Sequence, residues 1–273
     1  MKILLISPTQ SGIGGIAQHV QGLTKFLKKK GYCVEITSSE NTFTIPIKGL
    51  KNISFMISSF LKTKFNKDHD IVHAHNISSA LAMKNIKGKK ILSIHGIFSN
   101  QINDLHGKTL ASISSKYEKN ALKWADAITV ISKEAFDYYT NLGYNVFQVP
   151  NAIDISSLET NVDKRYSKQI IFAGRLSHEK GIDSLISISQ KLTNDIHLII
   201  LGVGPEEEKI NDLIKNHKNI HFFGYQNKNK TISLIRGSDI LIHPSLHEGI
   251  SSTILEAMAW KTAIIASDVG GNK

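Results

Sequence analysis

The sequence has 273 residues, an apolar fraction of 41%, and 33 Lys and Arg against 23 Asp and Glu, a formal charge of +10. That length predicts two domains with sizeable cores, and the single cysteine, Cys33, excludes a disulfide framework and a cysteine-rich metal site. The basic balance favours a phosphorylated substrate or an anionic membrane surface, whereas nucleic acid is not expected, because no zinc-finger, RNA-binding-sheet or basic coiled-coil signature accompanies the charge.

Short β-rich runs alternate with longer amphipathic ones. Ile3 to Ser7 reads as a strand, with no cleavage-site pattern after it, and the expected location is cytoplasmic. Ile16, Val20, Leu23 and Leu27 then share one face of a helix that runs to Lys29. Cys33 to Thr37 is the next strand and assigns Cys33 a core role. Residues 40 to 50 are less regular, and Ile53 to Phe65 reads as an apolar-faced helix with Lys62, Lys64 and Lys67 at its end. Ile71 to His75 is a strand, Ser78 to Lys84 a short helix, and Ile91 to His95 a strand. Ser112 to Ala125 forms a long helix on which Lys116, Tyr117 and Lys119 present either a solvated face or a contact for an anionic acceptor or membrane. Ala127 to Ser132 is a strand, Lys133 to Leu142 a helix, and Val146 to Val149 a strand stopped by Pro150.

After a polar stretch from about Ser156 to Gln169, a linker or surface helix, the alternation restarts. Strands are expected at 170–174, 197–201, 220–224, 240–243 and 263–266, with helices at 182–190, 206–216, 231–237 and 252–260. Repeated β-α units imply a parallel sheet covered on both faces. The expected fold is therefore α/β, with two Rossmann-like parallel-sheet domains, residues 1–155 and 156–273. The second pattern stops just after a strand, where such a domain ordinarily continues with covering helices, so the second domain is expected to be incomplete at its C-terminus.

Candidate ligand residues gather at strand ends, where open sheets bind ligands. Gly14 and Gly15 follow the first strand, and bare backbone there lets a ligand approach the amides. The spacing departs from Gly-x-Gly-x-x-Gly, so a dinucleotide fingerprint is not read here. His95 ends its strand as either a buried hydrogen-bonded histidine or a donor to a sugar hydroxyl or phosphate. His73 and His75 face the same side of one strand, but sequence spacing offers them no third ligand, and no metal is expected. In the second half, Arg175 and Lys180 flank a loop suited to a diphosphate, and Gly202 and Gly204 form a second strand-end turn fit for backbone contact with a nucleotide. Glu248, Gly249, Ile250, Ser251 and Ser252 lead into a helix whose start can bind phosphate. Glu256, four residues after Ser252, can accept two hydroxyls of a ribose.

Glu248 and Glu256 in a Glu-x7-Glu arrangement, Gly174-Arg175-Leu176 with Lys180-Gly181, Gly14-Gly15, and Asn151-Ala152-Ile153-Asp154 after Pro150 together resemble retaining GT-B glycosyltransferases of family 4 over essentially the whole chain. The resemblance implies two domains facing a central cleft, the first for the acceptor and the second for the nucleotide sugar. It further implies that Arg175 and Lys180 hold the diphosphate, Glu256 the ribose and Glu248 the donor sugar, with His95 near that sugar. It implies a nucleotide-sugar donor, taken as UDP-linked, a glycan or lipid-linked acceptor, a peripheral place at the inner membrane face, and no metal or cofactor. Trp260-Lys261 stands where the family usually has glycine, Asn151-Ala152 where Asn-Gly is commoner, and Ser251-Ser252 where many relatives have glycine or proline. Two other readings remain open at this stage: a UDP-sugar epimerase of the same shape, and a non-catalytic nucleotide-sugar or glycan-binding protein.

Overall fold

The computed structural model describes residues 1–11, 15–47, 50–65, 68–96, 115–155 and 160–272, and the chain divides into two units, Met1–Asn151 and Ala152–Lys273. In the first unit the described strands are β1 (Lys2–Ser7), β2 (Cys33–Ser38), β3 (Ile71–His75), β4 (Lys89–Ile94), β5 (Ala127–Val130) and β6 (Val146–Gln148). They pair in parallel in the order β2-β1-β3-β4-β5-β6. The described helices are α1 (Gly15–Lys29), α2 (Leu50–Phe65), α3 (Ala80–Met83), α4 (115–123) and α5 (Lys133–Asn141). Both faces of this sheet are covered. Leu4, Ile6, Val72, Ala74 and Leu92 point into one core, and Ile3 and Leu5 meet Val20 of α1 on the other. Alternation at period two sends successive residues of β1 to opposite faces.

The second unit repeats the plan with β7 (Gln169–Ala173), β8 (His197–Leu201), β9 (Ile220–Phe222), β10 (Ile240–His243) and β11 (Ala263–Ala266), parallel in the order β11-β10-β7-β8-β9. Its helices are α6 (Ile182–Ser189), α7 (Glu207–Asn216), α8 (Lys228–Arg236) and α9 (Ser252–Ala259). Ile170, Phe172, Leu198 and Ile200 serve one core, and Ile171, Ala173, Ile199 and Leu201 the other.

Several sequence expectations need correction. Cys33 is exposed rather than in the core, because it opens β2 on an outer strand of the sheet. Helix α8 starts at Lys228, three residues before the expected Thr231. The Asn227 side chain accepts the amide of Lys230 at 2.9 Å, and this cap, not an apolar repeat, sets the start. Helix α2 starts at Leu50, before the expected Ile53, and is apolar on two sides: Phe55 packs in the first core, while Ile53, Ile57 and Leu61 are exposed. On α4, Tyr117 packs against the first core and edge-on to Trp124, with ring centroids 6.0 Å apart. It is therefore not part of an exposed contact face, whereas Lys116 and Lys119 are exposed. The start of that helix expected at Ser112 lies outside the described residues.

Candidate active site

In an open parallel sheet the crevice lies where the strand order reverses, outside the carboxyl ends. In the second unit that point falls between β7 and β10. The loop after β7 makes a 3₁₀ turn over His178–Lys180 and ends at Gly181, which has φ 70°. The loop after β10 runs through Pro244 to Ser251. The two loops are fastened by the Leu246 amide, which donates to the Glu179 carbonyl at 2.9 Å. A side chain at Gly181 would collide with the Pro244 carbonyl.

This fastening brings Lys180 to Glu248, and the Lys180 ammonium donates to Glu248 Oε2. The same oxygen is bonded by His243 Nε2 at 3.0 Å and by the Ser245 hydroxyl at 3.2 Å. Burial works to raise the Glu248 carboxyl, but the His243 hydrogen bond and the Lys180 charge prevail and hold it at about 2. Glu248 is thus an anion at any ordinary pH.

Ser251 caps α9, its hydroxyl accepting the Ile254 amide at 3.4 Å, and Ser252 is the first helical residue. Gly249 and Ile250 are backed by the turn at Gly270–Asn272, because Gly271 packs on both and donates its amide to the Glu248 carbonyl at 3.4 Å. Glu256 is buried on α9, with Oε1 2.8 Å from the Lys228 ammonium of α8. Arg175 is exposed just past the end of β7. Gly202, at φ 136°, lies so close to the Gly174 carbonyl that a side chain would collide with it, and Gly204 is equally close to Leu176. These two glycines let the loops after β7 and β8 pack together, a role the sequence reading did not assign them.

In the first unit the order reverses between β1 and β3. His75 ends β3, His95 follows β4, and His19 lies one turn into α1. His75 Nδ1 and His95 Nε2 are 3.1 Å apart, and the His19 ring meets both edge-on at centroid distances of 5.4 and 5.1 Å. The Asn76 side chain accepts the His95 amide at 3.1 Å. Asn76 itself has φ 64° and ψ 161°, a region costly to any residue but glycine, of a kind that concentrates at functional positions. Burial, reinforced by the neighbouring imidazoles, lowers His75 well below its ordinary value and takes His95 to about 3. All three rings therefore offer neutral nitrogens rather than positive charge. Their ligand atoms lie within 4.8 Å of one another, so a cation could be held here. His73, the partner weighed for His75 from sequence, instead bonds Ser93 at 2.6 Å. Gly15 opens α1 with open space around its Cα, and Gly14 lies outside the described residues.

The sequence reading missed His243, Ser245, Lys228, His19 and Asn76. His243 carried a usable signal: like His95, it is a polar residue at the carboxyl end of an apolar strand. Ser245 meets Glu248 within the one loop after β10, whereas Lys228, His19 and Asn76 meet their partners only through long-range packing.

Residues 13–157 match the family described as Glycosyltransferase Family 4, and residues 159–273 match Glycosyl transferases group 1. An uncharacterised glycosyltransferase of Methanocaldococcus jannaschii is 25% identical over 304 residues, covering 95% of this chain and 78% of that relative. The phosphatidyl-myo-inositol mannosyltransferase of Mycobacterium tuberculosis is 23% identical over 310 residues, covering 98% of this chain and 78% of that relative. Among solved structures, the Anabaena protein HepE in complex with UDP superposes with a TM-score of 0.70 at 16% identity, covering 100% of this chain and 82% of that one. With two parallel-sheet units and family matches over almost all of its length, the chain belongs to the GT-B glycosyltransferases of family 4.

Proposed function

We propose that the chain transfers a sugar, with retention at the anomeric carbon, from a UDP-linked donor to a hydroxyl of a glycan or lipid-linked acceptor, without a metal ion. The observation that carries the donor site is the convergence of Lys180, His243 and Ser245 on Glu248 where the second sheet reverses order. Glu248 Oε2 takes the described side-chain contacts, and Oε1 is the oxygen assigned to a hydroxyl of the donor sugar. Lys180 has three N–H groups and can bond a diphosphate while keeping Glu248. Arg175 at the end of β7 and the first amides of α9 add positive charge where the leaving diphosphate gains negative charge. These groups stabilise the departing anion more than the bound donor, which is how they speed the reaction. In this reading protein cations perform the charge neutralisation a metal supplies elsewhere.

The described side chains suggest no covalent nucleophile, because Glu248 is tied down by three neighbours. The acceptor hydroxyl is then deprotonated late, by the departing phosphate. Glu256 is assigned to the ribose, with Lys228 holding its carboxylate in place. The relatives support the two ends of the reaction: HepE was solved with UDP, and the mycobacterial relative is named a phosphatidyl-myo-inositol mannosyltransferase.

The test is calorimetric titration of UDP-, GDP- and ADP-sugars into the purified chain, its Glu256→Ala variant and its Arg175→Ala variant. UDP-sugar binding that weakens in both variants supports the assignment. Binding unchanged in both overturns it, and preference for another base overturns the UDP choice. Sugar transfer measured with and without a chelator decides the metal question. Isomerised sugar nucleotide without acceptor would indicate an epimerase, and binding without turnover a non-catalytic binding protein.

A further inference from the structure

Three histidines meet at the carboxyl edge of the first sheet. His19 comes from α1, His75 ends β3, and His95 follows β4. One nitrogen of each ring lies within 4.8 Å of the other two. Sequence spacing offers His75 no third ligand. His19 becomes one because β1, which leads into α1, is the neighbour of β3.

The backbone fixes two of the rings at their roots. The Asn76 amide donates to the Ser93 carbonyl at 2.7 Å, the Asn76 side chain accepts the His95 amide at 3.1 Å, and the Ser79 hydroxyl donates to the His75 carbonyl at 2.7 Å. The first two bonds tie the ends of β3 and β4 together, and Asn76 holds its costly conformation to make them. The rings are also oriented from outside the cluster. His73 packs on His75 with centroids 4.3 Å apart, and its own Nε2 is taken by Ser93. The Asn151 side chain bonds His19. Outer partners of this kind set the ring orientation of metal-bound histidines.

Hydrogen bonding alone leaves the cluster incomplete. His75 Nδ1 and His95 Nε2 share one bond. The other nitrogen of His75, Nε2, has no partner among the described residues, although the residue is fully buried. A buried polar atom left in that way is costly, and a ring with an unfilled nitrogen is available to a ligand. The group contains three imidazoles and no carboxylate among the described residues. Such a donor set suits zinc, whereas magnesium and calcium demand oxygen. Zinc–nitrogen bonds of about 2.0–2.1 Å set ligand nitrogens about 3.4 Å apart. The rings therefore need to close in by about an ångström, which side-chain rotation supplies at His19 and His95, both only half-buried.

We propose that His19, His75 and His95 form a zinc site in the first unit, with the fourth position of the ion open. The ion clamps α1 to the ends of β3 and β4 and is given no step in sugar transfer. The inference rests on the first unit alone and not on the donor-site reading.

The experiment titrates Co²⁺ and then Zn²⁺ into the chelator-stripped chain, purified without a histidine tag. Four proteins are compared: wild type, His19→Gln, His95→Gln, and His197→Gln/His221→Gln. The last removes a histidine pair of the second unit whose Nδ1 and Nε2 are 3.0 Å apart. Wild type is expected to show the intense visible bands of four-coordinate cobalt at one equivalent, bleached by Zn²⁺ and untouched by excess Mg²⁺. His19→Gln and His95→Gln are each expected to bind at least about tenfold more weakly, and the second-unit variant to bind as wild type does. Zn²⁺ at about a hundredfold excess over its Kd should raise the wild-type melting temperature by about 5 °C or more. Absence of saturable binding, the weak bands of six-coordinate cobalt, affinity unchanged in His19→Gln and His95→Gln, or affinity lost in the second-unit variant overturns the site. Circular dichroism of the metal-free variants checks that each is folded, and either first-unit variant carries the test without the other. UDP-sugar binding and transfer by the stripped chain are read separately, so failure of the donor reading and failure of the zinc site are distinguishable.

Discussion

Lys180 and Glu248 come from loops after different strands, β7 and β10, and the ammonium of one is bonded to the carboxylate of the other. Both side chains are mostly shielded, with 22% and 12% exposed. Removing one partner leaves the other desolvated and unpaired, which costs more than the pair itself contributes. Glu248→Ala is expected to destabilise the second unit by about 1–3 kcal/mol. Lys180→Ala/Glu248→Ala should cost less than the sum of the single changes, and a urea double-mutant cycle checks this. The pH dependence has a definite sign. The folded carboxyl titrates at about 2 against an ordinary 4.5, so its contribution is fully present above pH 4.5 and is lost as pH falls toward 2.

The buried histidines of the first unit set an acid limit at a different pH. His73 is lowered to about 4 and His95 to about 3 by burial first and by neighbouring imidazoles second, and His75 is lowered well below its ordinary value by the same causes. In the unfolded chain these rings take up protons near 6.5, whereas in the folded unit they remain neutral. Stability is therefore complete above pH 6.5 and declines as pH falls below it, by up to about 1.4 kcal/mol per pH unit for a fully buried ring. Urea midpoints between pH 8 and pH 5 should show this loss. His75→Asn should be less stable at pH 8 but show a shallower decline; an unchanged slope contradicts the reading.

Gly202 and Gly15 separate packing from ligand approach. Gly202→Ala puts a side chain against the Gly174 carbonyl at φ 136°, and is expected to cost about 2 kcal/mol or more, read from the denaturant midpoint. Gly15→Ala meets open space at the start of α1 and should leave the midpoint within about 0.5 kcal/mol. If the loop after β1 approaches a ligand, Gly15→Ala instead slows turnover.

Lys261 follows α9 in a left-handed conformation, with φ 59°. Its amide donates to the Met258 carbonyl at 3.1 Å and that of Thr262 to the Ala257 carbonyl at 3.0 Å, the paired bonds of a Schellman ending. Glycine is the residue that ending prefers, and family 4 resemblance places one near this position. Lys261→Gly is expected to stabilise the second unit by about 0.5–1 kcal/mol, visible as a higher melting temperature.

The strands were legible because a strand buried on both faces must be written as a short apolar run, and β7, β8 and β10 are such runs. The charged residues assigned to the proposed donor site could be picked out as candidates because they lie in the loops and the helix start that follow those runs. Their partners could not. Nothing local says that Lys180 meets Glu248, because that contact exists only when β10 pairs with β7. Nor does anything local join His19, His75 and His95, which meet because β1, β3 and β4 are neighbours. The outward face of α2 was hidden for a related reason. An apolar stripe announces that a helix has an apolar side, but not which surface will cover it, and here α3 takes the hydroxyl side. Composition and periodicity thus determined which segments become strands and helices and which residues stand at their ends, since those depend on local chain geometry and hydrophobic burial. Strand order determined which ends share a crevice and which faces are left to solvent, since those depend on long-range pairing that no single segment encodes.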